Sequence, residues 1–248
     1  MPQTILLPAV VLVLLRVVPA VAQVSPESTR FTITGAPILS QPQGEFKNNI
    51  GRGYGGDAGF LYHLDRSGML SLRFDFSGVD YGHEKKREPL SETIGQRILV
   101  DVTTTNSIMT LGFGPEFAWP HGPVRPYVNT GFSELFFRTS TSVKGTNSEE
   151  NLAATTNQKD AVAAWVLGGG LRIPFSNNPQ KAVSLDLGVR YHRGGVASYL
   201  REGSIQNLPD GSIVISPLSS RTPTLIYMVG VQFRIPHNPS VPCPRFVC

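Results

Sequence analysis

Cysteine is almost missing: only Cys243 and Cys248 occur, both within the last six residues. From there they cannot staple the body of a fold. With no CxxC pair and no Cys/His cluster, the chain offers no zinc site and implies no metal or other cofactor. The two thiols make either a small disulfide across the tail, in an oxidising compartment, or a dispensable free pair. Charge is also scarce: Asp, Glu, Lys and Arg make up 16% of 248 residues, against 25 glycines. This composition excludes a disordered polyelectrolyte and a protein built of long charged helices. The formal charge of +4 is scattered rather than gathered into a patch, so no nucleic-acid partner is expected. Glycine-rich phosphate loops and Asp-rich calcium loops are missing as well. Beyond residue 22 nothing matches the run of about 20 apolar residues that a membrane helix requires. If this chain enters a membrane, it must cross as the strands of a closed barrel.

The first 22 residues read as an export leader. An apolar run from Ile5 to Val18, interrupted by Pro8 and Arg16, leads into Ala20-Val21-Ala22, whose small residues suit cleavage after Ala22. An uncleaved anchor is the alternative. Removal of the leader takes Arg16 with it and lowers the formal charge from +4 to +3. The expected organisation is a leader over 1–22, one β-barrel domain over 23–235 and a Pro-rich periplasmic tail over 236–248.

What the chain does have is alternation. In residues 182–192, Val183, Leu185, Leu187, Val189 and Tyr191 share one face, and Ser184, Asp186, Gly188, Arg190 and His192 the other. Such strict period two marks a strand. The same pattern recurs over 53–64, 69–80, 107–119, 162–173 and 224–235. A strand over 125–143 carries aromatics on both faces (Phe132, Phe136, Phe137), which predicts a bulge near Glu134. A short strand over 30–38, ending near Pro37, completes eight.

The connections alternate in length. Asp65-Arg66-Ser67-Gly68, Pro120-His121-Gly122-Pro123 and Ser176-Asn177-Asn178-Pro179-Gln180 are tight turns. Residues 82–97, 144–159 and 197–221 read as long loops, with a shorter one over 40–47. Short periplasmic turns opposite long extracellular loops are the signature of a transmembrane barrel. The fold class expected is all-β: an eight-stranded antiparallel transmembrane β-barrel.

Alternation does not say which face is inside, and a soluble lipocalin-like barrel would turn its apolar face inward. Three features favour the reverse. The polar faces combine Gly and Ser with Asp57, Arg73, Asp75, Glu116, Arg172, Asp186 and Arg190, a set suited to a narrow lumen filled by side chains. Those charges must pair with one another, because a lone buried ion is costly. Tyr62, Phe117, Trp119, Tyr127 and Phe233 lie near the short turns, as an aromatic girdle would. The strands also reach the nine to eleven residues that a tilted membrane strand needs.

Gly53–Asp65 (GYGGDAGFLYHLD), Arg125–Phe132 (RPYVNTGF), Leu185–His192 (LDLGVRYH) and Ile226–Phe233 (IYMVGVQF) together resemble the small bacterial outer-membrane β-barrel superfamily of outer membrane proteins A, X and W. The resemblance spans roughly 30–235 and speaks to architecture. It implies residence in the bacterial outer membrane, lipid and lipopolysaccharide as surroundings, and the barrel assembly machinery as a partner that reads the last strand.

Chemistry is harder to find. His192, near Ser198 and Glu202, is the best start for a Ser-His-acid set on a barrel, yet His192 is followed by Arg193-Gly194 rather than the His-x-Ser of the outer-membrane lipid A deacylases. The bland reading is a hydrogen-bonded rim residue, and no catalytic residue is assigned. The mixed run His83-Glu84-Lys85-Lys86-Arg87-Glu88 is either a solvated loop or a contact for lipopolysaccharide phosphates. Residues 199–206 and 212–216, around the turn at Asn207-Leu208-Pro209-Asp210-Gly211, can project as a hairpin. The leading expectation is a non-enzymatic structural or adhesive barrel that binds extracellular ligands through its loops. A conduit for small solutes or apolar molecules is the alternative, and a barrel-borne lipid hydrolase the third reading.

Overall fold

The computed structural model describes residues 30–89, 99–145, 151–175, 183–207 and 212–235. The expected leader over 1–22, the expected turn at 176–180 and the tail over 236–248 fall outside the described residues. In chain order the elements are β1 (Phe31–Pro42), α1 (Gly44–Asn49), β2 (Gly53–His63), β3 (Leu70–Pro89), β4 (Leu99–Ala118), β5 (Arg125–Gly145), β6 (Asn151–Pro174), β7 (Val183–Tyr199), β8 (Ile205–Asn207), β9 (Ile213–Ile215) and β10 (Leu218–Ile235). Eight of them close in the order β1-β10-β7-β6-β5-β4-β3-β2, while β8 and β9 form a separate two-stranded hairpin. Every neighbouring pair in the barrel is antiparallel.

The stagger of the wall follows from its register. The rung from Ile33 passes through Phe60, Phe74, Phe113, Phe132, Trp165, Arg193 and Pro223, whose carbonyl accepts from the Gln43 N–H. One circuit therefore returns to the first strand's line ten residues further along. Eight strands with that stagger tilt by roughly 40° to the barrel axis.

Three expectations change. The stretches read as long loops over 82–97 and 144–159 are largely strand: β3 and β4 stay paired up to Pro89 and Leu99, and β5 and β6 up to Lys144 and Asn151. No bulge occurs at Glu134, which holds unbroken register with Leu111 on one side and Ala163 on the other; the shifts come later, at Thr139/Ser140 and Val143/Lys144. Phe132 faces out and Phe137 faces in, so aromatics on both faces reflect a lumen that is itself apolar at this height. The first strand runs on through Pro37 to Pro42, and α1 follows where a plain loop was expected.

Candidate functional site

The lower lumen is ionic. Seven inward side chains form one connected network: Arg73 meets Asp75 at 2.7 Å, Glu116 at 2.9 Å and Asp57 at 3.9 Å, and Arg190 meets Asp57 at 3.1 Å and Asp75 at 3.0 Å. Arg172 extends it, meeting Glu116 at 2.6 Å and Asp186 at 3.6 Å. Three guanidiniums thus face four carboxylates with almost no solvent. Small neighbours make the room: a Cβ on Gly59 would lie 3.0 Å from the Asp75 carboxylate and 3.1 Å from Arg73.

Tyr127 is a correction. It does not join the girdle; it is 4% exposed, donates its hydroxyl proton to Asp186 at 2.8 Å, and lies 4.1 Å below the Arg172 guanidinium. Parity is the reason, since Tyr127 shares its face with buried Asn129 and Ser133. Its ring crosses Gly170 and Gly188, where any Cβ would come within 2.8 Å of it. Nearer the turns, His63 bridges the hydroxyls of Thr32 and Ser71 at 2.8 and 2.7 Å.

The upper lumen is apolar. Helix α1 drops Phe46, fully buried, among Tyr81, Ile108, Leu135, Phe137 and Tyr199. Its ring sits edge-on to Phe137 at 6.0 Å and to Tyr199 at 5.0 Å. Hydrogen bonds from Asn49 to the Tyr199 hydroxyl and from Tyr81 to the Leu200 carbonyl tie this plug to the wall. His192 is buried at this level and bonds Ser133 at 3.2 Å. It is not brought together with Ser198 and Glu202, which instead engage Asp160 and the His83 N–H.

The outer wall inverts the pattern of a soluble barrel. Ile33, Phe60, Phe74, Leu111, Phe113, Val128, Phe132, Trp165, Leu167, Val189, Val229 and Val231 are all exposed on it, while charged groups fill the inside. Water would not tolerate an apolar surface of that extent, whereas lipid requires it. This chain is a transmembrane β-barrel. The lipocalin-like alternative is thereby excluded. Phe117, Trp119 and Phe233 sit exposed near the turns of this barrel, and Tyr62 is half-buried on the same wall.

Above the membrane the barrel is lopsided. Strands β3 to β6 rise together as a projecting sheet, and this leaves two strand edges. Pairing of β2 with β3 stops at Tyr54 and Asp80, and pairing of β6 with β7 stops at Ala164 and Gly194. The β3 edge is guarded: it carries Lys85, Lys86, Arg87 and Pro89, the His83 N–H donates to Glu202 at 3.0 Å, and the Gly203 N–H donates to Glu84 at 3.2 Å. Among the described residues the β6 edge is capped at its base, where Asp160 accepts from the Ser198 N–H and Gln158 donates to the Ser198 hydroxyl.

No family model matches the chain, and no curated protein matches it. Among solved structures, similar folds include Neisserial surface protein A (14% identity, 83% of this chain and 97% of that one, TM-score 0.49). Ail, the attachment invasion locus protein of Yersinia pestis, in complex with the heparin analogue sucrose octasulfate, is 12% identical over 82% of this chain and 96% of that one, at a TM-score of 0.42. The outer membrane protein OprG from Pseudomonas aeruginosa is 13% identical over 82% and 94%, at 0.39.

Proposed function

We propose that this barrel is a surface interaction protein, adhesive in role, that captures an extended segment of an external protein by adding it to the free edge of β6. The supporting observation is the composition of that edge. Residues 152–157 read LAATTN, with no charge and no proline, and Leu152, Ala153, Ala154 and Thr155 are exposed. Natural sheets blunt exposed edges with lysine, proline or a covering loop, as the β3 edge is blunted here. Between its two register irregularities, opposite Thr139/Ser140 and Val143/Lys144, this edge carries no charge or proline and offers main-chain donors and acceptors through which strand addition supplies affinity. The lumen supports the same reading, because Phe46 and the ionic network occupy it.

The test is adherence of cells displaying the full chain to epithelial monolayers and to immobilised serum proteins. Lysines at Ala154→Lys and Thr155→Lys are expected to reduce adherence at least tenfold at unchanged surface abundance. Equal adherence by the double variant rejects capture at this edge. A wild type that shows steady open-channel currents in a planar bilayer would favour the conduit instead.

A further inference from the structure

The outer wall holds a second feature, on the lipid side and away from the β6 edge. A groove of about 780 Å³ crosses β2 to β6, walled by Phe60, Phe74, Phe113 and Phe132, with Gly59, Gly112, Asp75 and Ser133 at its floor. Its size lies within the range of about 300–1,000 Å³ common to ligand pockets. On β5 and β6 it ends, on the extracellular side, at Glu134 and Ala163.

The rungs above that end are unusual. Going outward, Phe132 faces Trp165, Glu134 faces Ala163, Phe136 faces Ala161, and Arg138 faces Lys159. Two exposed cations thus stand directly opposite each other, an arrangement that repels unless an anion sits between them. Neither has an ion pair among the described residues; Arg138 reaches only the hydroxyls of Ser140 at 3.0 Å and Thr156 at 3.3 Å. Glu134 likewise has no hydrogen bond or ion pair among the described residues. It is four residues from Arg138, about 13 Å along the strand and too far to neutralise it. Charge first appears on the outer face of β5 at Glu134, so the hydrocarbon boundary falls between Phe132 and Arg138. The cation pair therefore stands at headgroup level.

We infer that this face binds one outer-leaflet lipid, a phosphorylated and N-acylated amino-sugar lipid, with phosphate on Arg138 and Lys159 and an acyl chain in the groove. The vertical order of the groups selects the class. From outside inward the wall presents two cations, a lone carboxylate acceptor, then an apolar groove. The ligand must present an anion, a hydrogen-bond donor and a hydrocarbon chain in that same order. An N-acylated sugar phosphate does so, since its amide N–H lies between phosphate and chain. Phosphatidylethanolamine carries its ammonium outside the phosphate, and phosphatidylglycerol joins its chains through esters that donate nothing.

The test counts lipids retained by the detergent-purified full chain in native mass spectrometry, using lipid A, lipid A stripped of phosphate, phosphatidylglycerol and phosphatidylethanolamine as probes. Lipid A is expected to be held at least tenfold more tightly than the other three. Arg138→Ala with Lys159→Ala should remove that advantage, Ala163→Trp should weaken lipid A by closing the groove, and Glu134→Gln should weaken lipid A several-fold without affecting phosphatidylglycerol. All these side chains lie on the outer wall, and heat-modifiable migration confirms that each variant is folded. Equal retention of phosphatidylglycerol, or undiminished lipid A binding by the double alanine variant, overturns the assignment.

Discussion

Arg73→Met removes the hub of the lumenal network while keeping most of the volume of the side chain. Arg73 is 1% exposed and holds Asp75 at 2.7 Å, Glu116 at 2.9 Å and Asp57 at 3.9 Å. Without it, Arg172 and Arg190 alone face four carboxylates. Glu116 keeps Arg172, and both Asp57 and Asp75 must share Arg190. Breaking a buried pair by removing one partner costs about 3–5 kcal/mol, mostly for the charge left behind. With an m-value near 2 kcal/mol/M, the urea midpoint in lipid vesicles should fall by roughly 2 M, read from the fluorescence of Trp119 and Trp165. Lys85→Met, which breaks only the exposed pair with Asp101, is the control and should leave the midpoint unchanged. A loss below about 1 kcal/mol for Arg73→Met would refute the reasoning, because it would mean that the lumen is wet enough to solvate the orphaned carboxylates.

Two other perturbations report on the extracellular end. Phe46→Ala empties the centre of the aromatic plug and should cost about 3–5 kcal/mol; planar-bilayer recordings should then show openings that wild type lacks. Acidification should loosen the clasp between the β3–β4 extension and the Arg201–Ser204 turn. The Lys86 ammonium holds the Glu84 carboxyl below its ordinary range, burial opposes this, and the Gly203 N–H adds to it; hydrogen bonding from Lys85 lowers Asp101 in the same way. A depressed carboxyl stabilises the folded form above its unfolded value near 4 and loses that contribution as pH falls through the folded value. The Gly203 amide resonance should therefore shift and broaden below about pH 4 while amides of the membrane wall hold; a Gly203 signal indifferent to acid would contradict the clasp.

The membrane-embedded half was legible in the sequence because lipid outside and ions inside force period two on every strand. The projecting half was not. Both faces of β3–β6 are wet above the membrane, so residues 82–89 and 151–159 show no apolar alternation and read as loop. Only cross-strand register reveals them. Tyr127 was recoverable in principle, by counting parity from Asn129, but Phe137 on the same face disguised that parity. The apolar plug had no local signal at all. Phe46 lies in a six-residue helix, and its burial depends on Phe137 and Tyr199, which are 91 and 153 positions away in the chain.

The same asymmetry argues where activity resides. The lumenal charges face one another in a single network of three guanidiniums and four carboxylates that ties β2, β3, β4, β6 and β7 together, so the interior is committed to holding the wall together. Phe46 closes what remains. On the outside, Arg138, Lys159 and Glu134 have no ion pair among the described residues, and the upper β6 edge has no neighbouring strand. The edge faces outward to other proteins and the wall faces sideways to lipid. Both belong to β5 and β6, so a lipid clamped at Arg138 and Lys159 also fixes the base of the strand whose edge projects above. A rigid base lowers the ordering cost of capturing a partner strand, which makes lipid retention and adherence separable by mutation but coupled in the intact protein. Arg138→Ala with Lys159→Ala should therefore weaken adherence partially, whereas the two edge lysines should abolish adherence and leave lipid A retention untouched.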